Sequence, residues 1–339
     1  MKLPHIAKQS TGAAAQATPS NKGLRRKLVW GGSIAAAVIV VGLAAGTWFS
    51  SGMLLKPSFE GLGKGYSTCD PETEKRFGKD CGNLRASKAY AFSEVTIPSR
   101  NGYTMPGWLI KAADNGKAPA QGVIMLAHAG GSDRREDTRH IAMYLNQGLD
   151  VLTFDQGCAG EAPCPVQGVT YGQRESRDVL SAYHYLTAQY DKVYAMGSSV
   201  GAAALLIALP EMPQLQGLIA ENAYTSFERL VKEAPESQNV PGWATDSMIG
   251  LAKARGQFDG LASPEHVLPL AGTTVPVLFI HSKADTVISH RQTEDLVKLY
   301  KGPASTWYPD KGEHALVSNE QPAAYQQRIV AFLQASLER

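Results

Sequence analysis

The chain has 339 residues, enough for one large domain with a sizeable core or two small ones, and its composition is ordinary for a globular protein. Its formal net charge of +2 is unevenly spread: residues 1–27 carry six cations (Lys2, Lys8, Lys22, Arg25, Arg26, Lys27) and no acid, leaving 27 basic against 31 acidic side chains, a balance of −4, in the rest. A slightly acidic globular part offers no electrostatic footprint for nucleic acid. Residues 1–27 lack apolar periodicity and read as a disordered basic lead.

Between Leu28 and Leu55 no residue is charged. A helix over 28–50 is long enough to cross a bilayer at about 1.5 Å per residue. Cations on its N-terminal side place that side in the cytoplasm. The rest of the chain is then extracytoplasmic, periplasmic if the source is a Gram-negative bacterium. A cleaved signal peptide is the rival reading. Ala44 and Gly46 suit a cleavage site, but the basic lead is long for one. Residues 51–90 read as a Gly- and charge-rich connector.

From residue 91 onward the pattern is that of one folded domain. Strands are expected at 92–98 and 105–111, joined by the turn Arg100-Asn101-Gly102. Short apolar runs follow at 122–127, 150–154, 193–196, 217–220 and 275–280, with a last strand at 305–308. Helices are expected between them at 139–147, 173–188, 200–209, 294–300 and 323–337. In 173–188, Val179, Ala182, Tyr183 and Leu186 share one face. This alternation implies βαβ units and a mostly parallel, doubly wound sheet of eight strands. Residues 225–262 interrupt it and read as a small helical lid, with Trp243, Met248, Ile249 and Leu251 as apolar residues available to an acyl pocket.

The chemistry centres on Gly197-Ser198-Ser199-Val200-Gly201. It matches G-x-S-x-G between an apolar strand and a helix, where a strained turn exposes the serine hydroxyl. Ser199 is therefore the expected nucleophile. A serine needs a base to take its proton, and His314 lies after the last strand. Asp285, after the seventh strand, is the expected acid that orients the imidazole; Glu221 is the substitute. The backbone N–H of Val200 and that of Gly130, in the loop Ala127-His128-Ala129-Gly130-Gly131, are the expected oxyanion donors, with Ala129 as second choice. His128 and His281 close strands and read as structural.

Cys69, Cys81, Cys158 and Cys164 form two local pairs. In an oxidising compartment they predict the disulfides Cys69–Cys81 and Cys158–Cys164, with four free thiols as the alternative. No cysteine or histidine spacing suits zinc, so neither a metal nor a cofactor is expected.

Residues 92–339 resemble the α/β-hydrolase superfamily, most closely its compact single-domain serine hydrolases of the esterase and dienelactone-hydrolase-like kind. The resemblance is carried by residues 95–99 with Asn101-Gly102 and Pro106-Gly107-Trp108, by Thr170-Tyr171-Gly172 with Glu175 and Asp178, by the serine pentapeptide, and by residues 276–285. Two places depart from it. The usual His-Gly of the oxyanion loop is His128-Ala129, and the usual Arg-Gly-x-Gly-x-Ser after the fourth strand is Gln156-Gly157-Cys158-Ala159-Gly160-Glu161. The resemblance implies hydrolysis of carboxylic esters or thioesters through an acyl-enzyme on Ser199. Acyl transfer with the same residues is an alternative, as is a non-catalytic, membrane-anchored binding protein on a hydrolase fold. A small-molecule or acylated, lipid-like substrate is expected, and a membrane as partner through the N-terminal helix. Sequence leaves the oligomeric state open.

Overall fold

The computed structural model describes residues 40–57 and 69–337. The disordered lead expected at 1–27 lies outside them, as do residues 28–39 of the expected membrane helix. No helix among the described residues is long and apolar enough to cross a membrane. The chain divides into two compact units, residues 1–46 and 47–339. Of the first unit, residues 40–46 are helical and exposed.

The second unit begins with a helical segment, α1 (residues 47–55). Eight strands follow: β1 (Ser93–Pro98), β2 (Thr104–Ile110), β3 (Gly122–Ala127), β4 (Leu149–Phe154), β5 (Val193–Ser198), β6 (Leu215–Glu221), β7 (Val277–Ile280) and β8 (Ala304–Trp307). They form one sheet in the order β1-β2-β4-β3-β5-β6-β7-β8. β2 runs antiparallel to both β1 and β4, and every later pairing is parallel. Each strand expected from sequence is present, with ends moved by a residue or two.

β3, β4 and β5 are buried along their whole length. A parallel strand covered on both faces needs apolar residues at successive positions, which is why they appear in the sequence as unbroken runs. Side chains of a strand alternate between faces. Val123, Met125 and Ala127 enter one core layer, and Ile124 and Leu126 the other. The first layer is closed by α4 (Glu175–Thr187), through Val179, Ala182, Tyr183 and Leu186, and by α5 (Val200–Ala208). The second is closed by α3 (Ile141–Leu145) and α9 (Pro322–Leu337), through Ile141, Tyr144, Tyr325, Ile329 and Leu333.

The expected lid contains α6 (Phe227–Glu233) and α7 (Gly242–Gly256). Ile249 is buried, whereas Trp243 stands exposed. α8 (His290–Leu299) begins earlier than its apolar pattern, because the Ser289 side chain accepts a hydrogen bond from Arg291 N–H and caps it.

Of the stretch expected as a connector, residues 69–90 are built into the domain. α2 (Pro71–Phe77) is capped by Asp70, Leu84 enters the second core layer, and Arg85 pairs with Glu94 and Glu161. Its few apolar residues, Phe77 and Leu84 among them, are too sparse to leave a period in the sequence. Cys69–Cys81 and Cys158–Cys164 are both disulfide-bonded.

Candidate active site

Ser199, Asp285 and His314 lie in loops after β5, β7 and β8, at the carboxyl edge of the parallel strands. Open α/β sheets place their sites along that edge. Ser199 has φ +50° and ψ −113°. A non-glycine residue held there is strained, and the surroundings must enforce it. They do so by close approach. A Cβ on Gly201 would lie 2.0 Å from Ala127 O, and one on Gly197 would lie 2.6 Å from the backbone of Gly201. β5 and α5 can therefore meet at this angle only if both positions lack a side chain.

Two adjacent residues at the end of β6 link Ser199 to Asp285. The N–H of Ser199 donates to Glu221 O at 2.9 Å, and Asn222 Nδ2 donates to Asp285 Oδ2 at 2.5 Å. His314 Nδ1 lies 2.7 Å from that same oxygen, and His281 Nε2 lies 3.2 Å from it. The other oxygen, Oδ1, accepts from Val287 N–H at 2.8 Å and Ile288 N–H at 2.9 Å. Burial alone would push this carboxyl up. The His314 charge and the hydrogen bonds from His281 and His314 overcome that and hold it well below the usual carboxylate range. An ionised Asp285 accepts and never donates, so His314 Nδ1 carries a hydrogen and Nε2 is left with its lone pair in the neutral ring.

Glu221, the substitute acid, is engaged elsewhere: its Oε2 accepts from Tyr325 O–H at 2.8 Å. Asp310 is exposed and pairs with Lys283.

Gly130 and Val200 are neighbours. A Cβ on Gly130 would lie 2.7 Å from Val200 Cγ2, so the two chain segments approach this closely only with glycine at 130. Val200 is the first residue of α5, where helix geometry gives the N–H no intrahelical acceptor. The N–H of Ala129, by contrast, is already engaged: it donates to buried Glu136 Oε2 at 2.8 Å. Glu136 Oε1 accepts from Ser198 O–H at 3.3 Å. One carboxylate thus ties the residue before Gly130 to the residue before Ser199.

His128 couples the two loops that depart from the family pattern. Its Nε2 accepts Gln156 N–H at 3.1 Å, which leaves Nδ1–H to donate to Ala129 O at 2.8 Å. Gln156 Nε2 returns a bond to His128 O at 3.0 Å. Farther along the β4 loop, Gly157 N–H donates to Asp178, which also accepts from Ser99, Asn101 and Tyr103 of the β1–β2 turn. Glu136, Asn222 and the bond from His281 to Asp285 were not legible in sequence, because none sits in a spacing motif.

No protein-family model matches the chain. Among curated proteins, YqkD of Bacillus subtilis, itself described as uncharacterized, is 26% identical over 246 residues, which cover 70% of this chain and 77% of YqkD. Among solved structures, the esterase Pf2001 of Pyrococcus furiosus matches with a TM-score of 0.60 at 16% identity, covering 73% of this chain and 92% of the esterase. The esterase EaEST of Exiguobacterium antarcticum matches with a TM-score of 0.53 at 15% identity, covering 71% of this chain and 100% of its own. At such identities the likeness speaks for the fold: this chain has the α/β-hydrolase fold, with esterases among its structural neighbours.

Proposed function

We propose that the protein is a serine hydrolase that cleaves carboxylic esters or thioesters through an acyl-enzyme on Ser199. The observation that carries this reading is the His314–Asp285 hydrogen bond of 2.7 Å at the same sheet edge as a serine held at positive φ. His314 Nε2 takes the hydroxyl proton as Ser199 Oγ attacks the carbonyl carbon. The carbonyl oxygen becomes an oxyanion, which the N–H groups of Val200 and Gly130 receive. On collapse the C–O or C–S bond to the leaving group breaks, and His314 returns the proton to the departing oxygen or sulfur. Water then repeats the sequence, giving the free acid and restoring Ser199. Acyl transfer to another acceptor would replace only that water.

We also propose that the uncharged stretch from Leu28 spans a membrane, with the basic lead in the cytoplasm and the hydrolase domain on the other side. Protease protection in sealed spheroplasts tests the orientation. A fluorophosphonate probe tests the chemistry. It should label the wild type at Ser199 and leave Ser199→Ala unlabelled. Labelling at Ser198 instead, or none in a folded wild type, would overturn the assignment.

A further inference from the structure

We propose that the catalytic domain rests lid-first on a lipid bilayer, on a surface formed by Trp48, Phe49 and Met53 with Arg255 and Lys56, and takes acyl substrates resident in that bilayer. This rests on the hydrolase reading for the chemistry, but the surface is argued separately.

α1 has two unlike faces. Ser51 and Leu55 are buried against the domain, while Trp48, Phe49 and Met53 are 55%, 69% and 62% exposed. A single exposed apolar residue needs no explanation, but three large ones together in under two turns of helix do. The lid supplies the cation beside them. Arg255, in the last turn of α7, stacks its guanidinium 4.0 Å from the Trp48 ring centre. Its Nη1 donates to Trp48 O at 2.6 Å and to Ser51 Oγ at 2.7 Å, and its Nε to Gln167 at 3.0 Å. The lid helix is thereby bolted to α1.

The sequence on the N-terminal side names the occupant. The uncharged run reaches back from Leu55 to Leu28, six cations and no acid precede it, and Lys56 is the first charge after it. Tryptophan flanked by Arg and Lys at the end of such a run is the composition of the headgroup zone, where amphipathic rings and long cationic stems sit half in and half out of the apolar layer. A partner protein would not require so long an uncharged apolar run ahead of the domain in the sequence.

The same contact reaches the site through one residue. Val169 N–H donates to Leu55 O at 2.9 Å, and Tyr171 O–H to Leu54 O at 2.5 Å. The Val169 side chain packs beside Gly130, 3.6 Å from where a Cβ would stand. Leu55, Val169, Val200 and Ile249 belong to one apolar cluster. The end of α1 and the expected oxyanion loop are thus separated by the width of a valine. An acyl chain drawn from a bilayer beside α1 would meet this buried apolar cluster next to the expected oxyanion loop, a lining that suits an acyl chain better than a polar ester.

The test uses the full chain in phosphatidylcholine/phosphatidylglycerol nanodiscs. A photoreactive benzoylphenylalanine placed at position 49 or 53 should cross-link to lipid. Phe49→Asp/Met53→Asp should cut hydrolysis of a bilayer-embedded long-chain p-nitrophenyl ester at least tenfold and leave water-soluble p-nitrophenyl butyrate unchanged. Both side chains are exposed and outside the catalytic machinery, so the variant should keep its thermal midpoint. Cross-links to protein, or to nothing, while the fluorophosphonate probe still labels Ser199 would overturn the bilayer surface and spare the hydrolase reading. Equal effects on the two esters would overturn the claim about substrate. Lipid adducts on a chain that cleaves neither ester would leave the surface standing and sink the hydrolase reading.

Discussion

His281 and His314 converge on one oxygen of Asp285, at 3.2 and 2.7 Å. His281 is fully buried, and its Nε2 also faces Ile288 O at 2.9 Å. Both neighbours of Nε2 are acceptors, so that nitrogen carries a hydrogen. Its Nδ1 meets Thr293 Oγ1 at 2.7 Å, and Thr293 reaches Ala223 O at 2.9 Å. His281 therefore braces the same carboxylate oxygen that faces the expected base.

The bond can be separated from the packing. His281→Gln keeps an N–H near the Nε2 position, and His281→Phe keeps bulk alone. Phe should lower kcat by roughly ten- to a hundredfold, the scale of losing one strong hydrogen bond to a charged group, and Gln should restore most of it. With one donor gone, Asp285 directs more of its charge at His314, so the acid limb of the kcat/KM profile should move to higher pH in the Phe variant. A loss equal in both variants, with an unmoved limb, would reduce His281 to a packing residue.

Glu136 can be tested in the same way. Its two oxygens hold Ala129 N–H and Ser198 O–H, so it fixes the spacing of Gly130 and Val200. Glu136→Ala should lower kcat by about 10² with little change in KM, since misplacing an oxyanion donor is felt mainly in the transition state. Glu136→Gln can accept from Ala129 and meet Ser198, and should retain activity within a fewfold. Steady-state kinetics on a short ester decides it. A rise in KM at constant kcat would show that the carboxylate serves binding and not the oxyanion loop.

How far the sequence reached follows from what kind of signal each part leaves. Strands buried on both faces write unbroken apolar runs, so β3 to β7 are legible in the sequence to within two residues at either end. The serine pentapeptide is legible because sterics at Gly197 and Gly201 allow no other residue type. His314 and Asp285 follow from chain order. Glu136 and Asn222 act through single long-range hydrogen bonds, which impose no period and no spacing. The segment at 69–90 leaves no signal for a related reason: a disulfide, a cap and ion pairs to Glu94 and Glu161 fasten it, with few apolar residues to reveal it.

The Cys158–Cys164 disulfide closes a short ring in the loop after β4. Gln156 in that loop bonds to His128 beside the expected oxyanion donors. Replacing both cysteines by serine should cost about 2 kcal/mol of stability by freeing the unfolded chain. It should also weaken turnover more than fluorophosphonate labelling, because the small probe needs less of the pocket wall. Thermal unfolding and probe kinetics on the double variant measure the two effects apart. Unchanged stability with full turnover would show that the hydrogen bonds hold the loop unaided.

Glu221 gives a stability prediction whose sign can be fixed. Burial pushes its carboxyl up, against the hydrogen bond from Tyr325 and the charge of Arg139, which pull it down. Asp137, fully enclosed, is pushed well up by burial and by the charge of Glu136. A carboxyl whose value is raised by folding binds its proton more tightly in the native state than in the unfolded chain. Its contribution is complete below the unfolded value, 4.5 for the glutamate, and is lost as pH rises through the native one. Asp285 runs the other way: its depressed carboxyl stabilises above the usual carboxylate range and is lost on acidification. Glu221→Gln keeps an acceptor for Tyr325 and removes the titration. Any packing cost of the amide is the same at every pH, so the informative quantity is the difference in thermal midpoint between variant and wild type, compared at pH 5 and pH 8. That difference should be more favourable to the variant at pH 8 by a few degrees, since about 1 kcal/mol moves the midpoint of a domain this size by roughly 2–4 °C. Ser199 N–H reaches Glu221 through the backbone carbonyl alone, so fluorophosphonate labelling should persist. A midpoint difference that does not change with pH, or one that favours the wild type more strongly at pH 8, would show that Glu221 is held ionised in the fold.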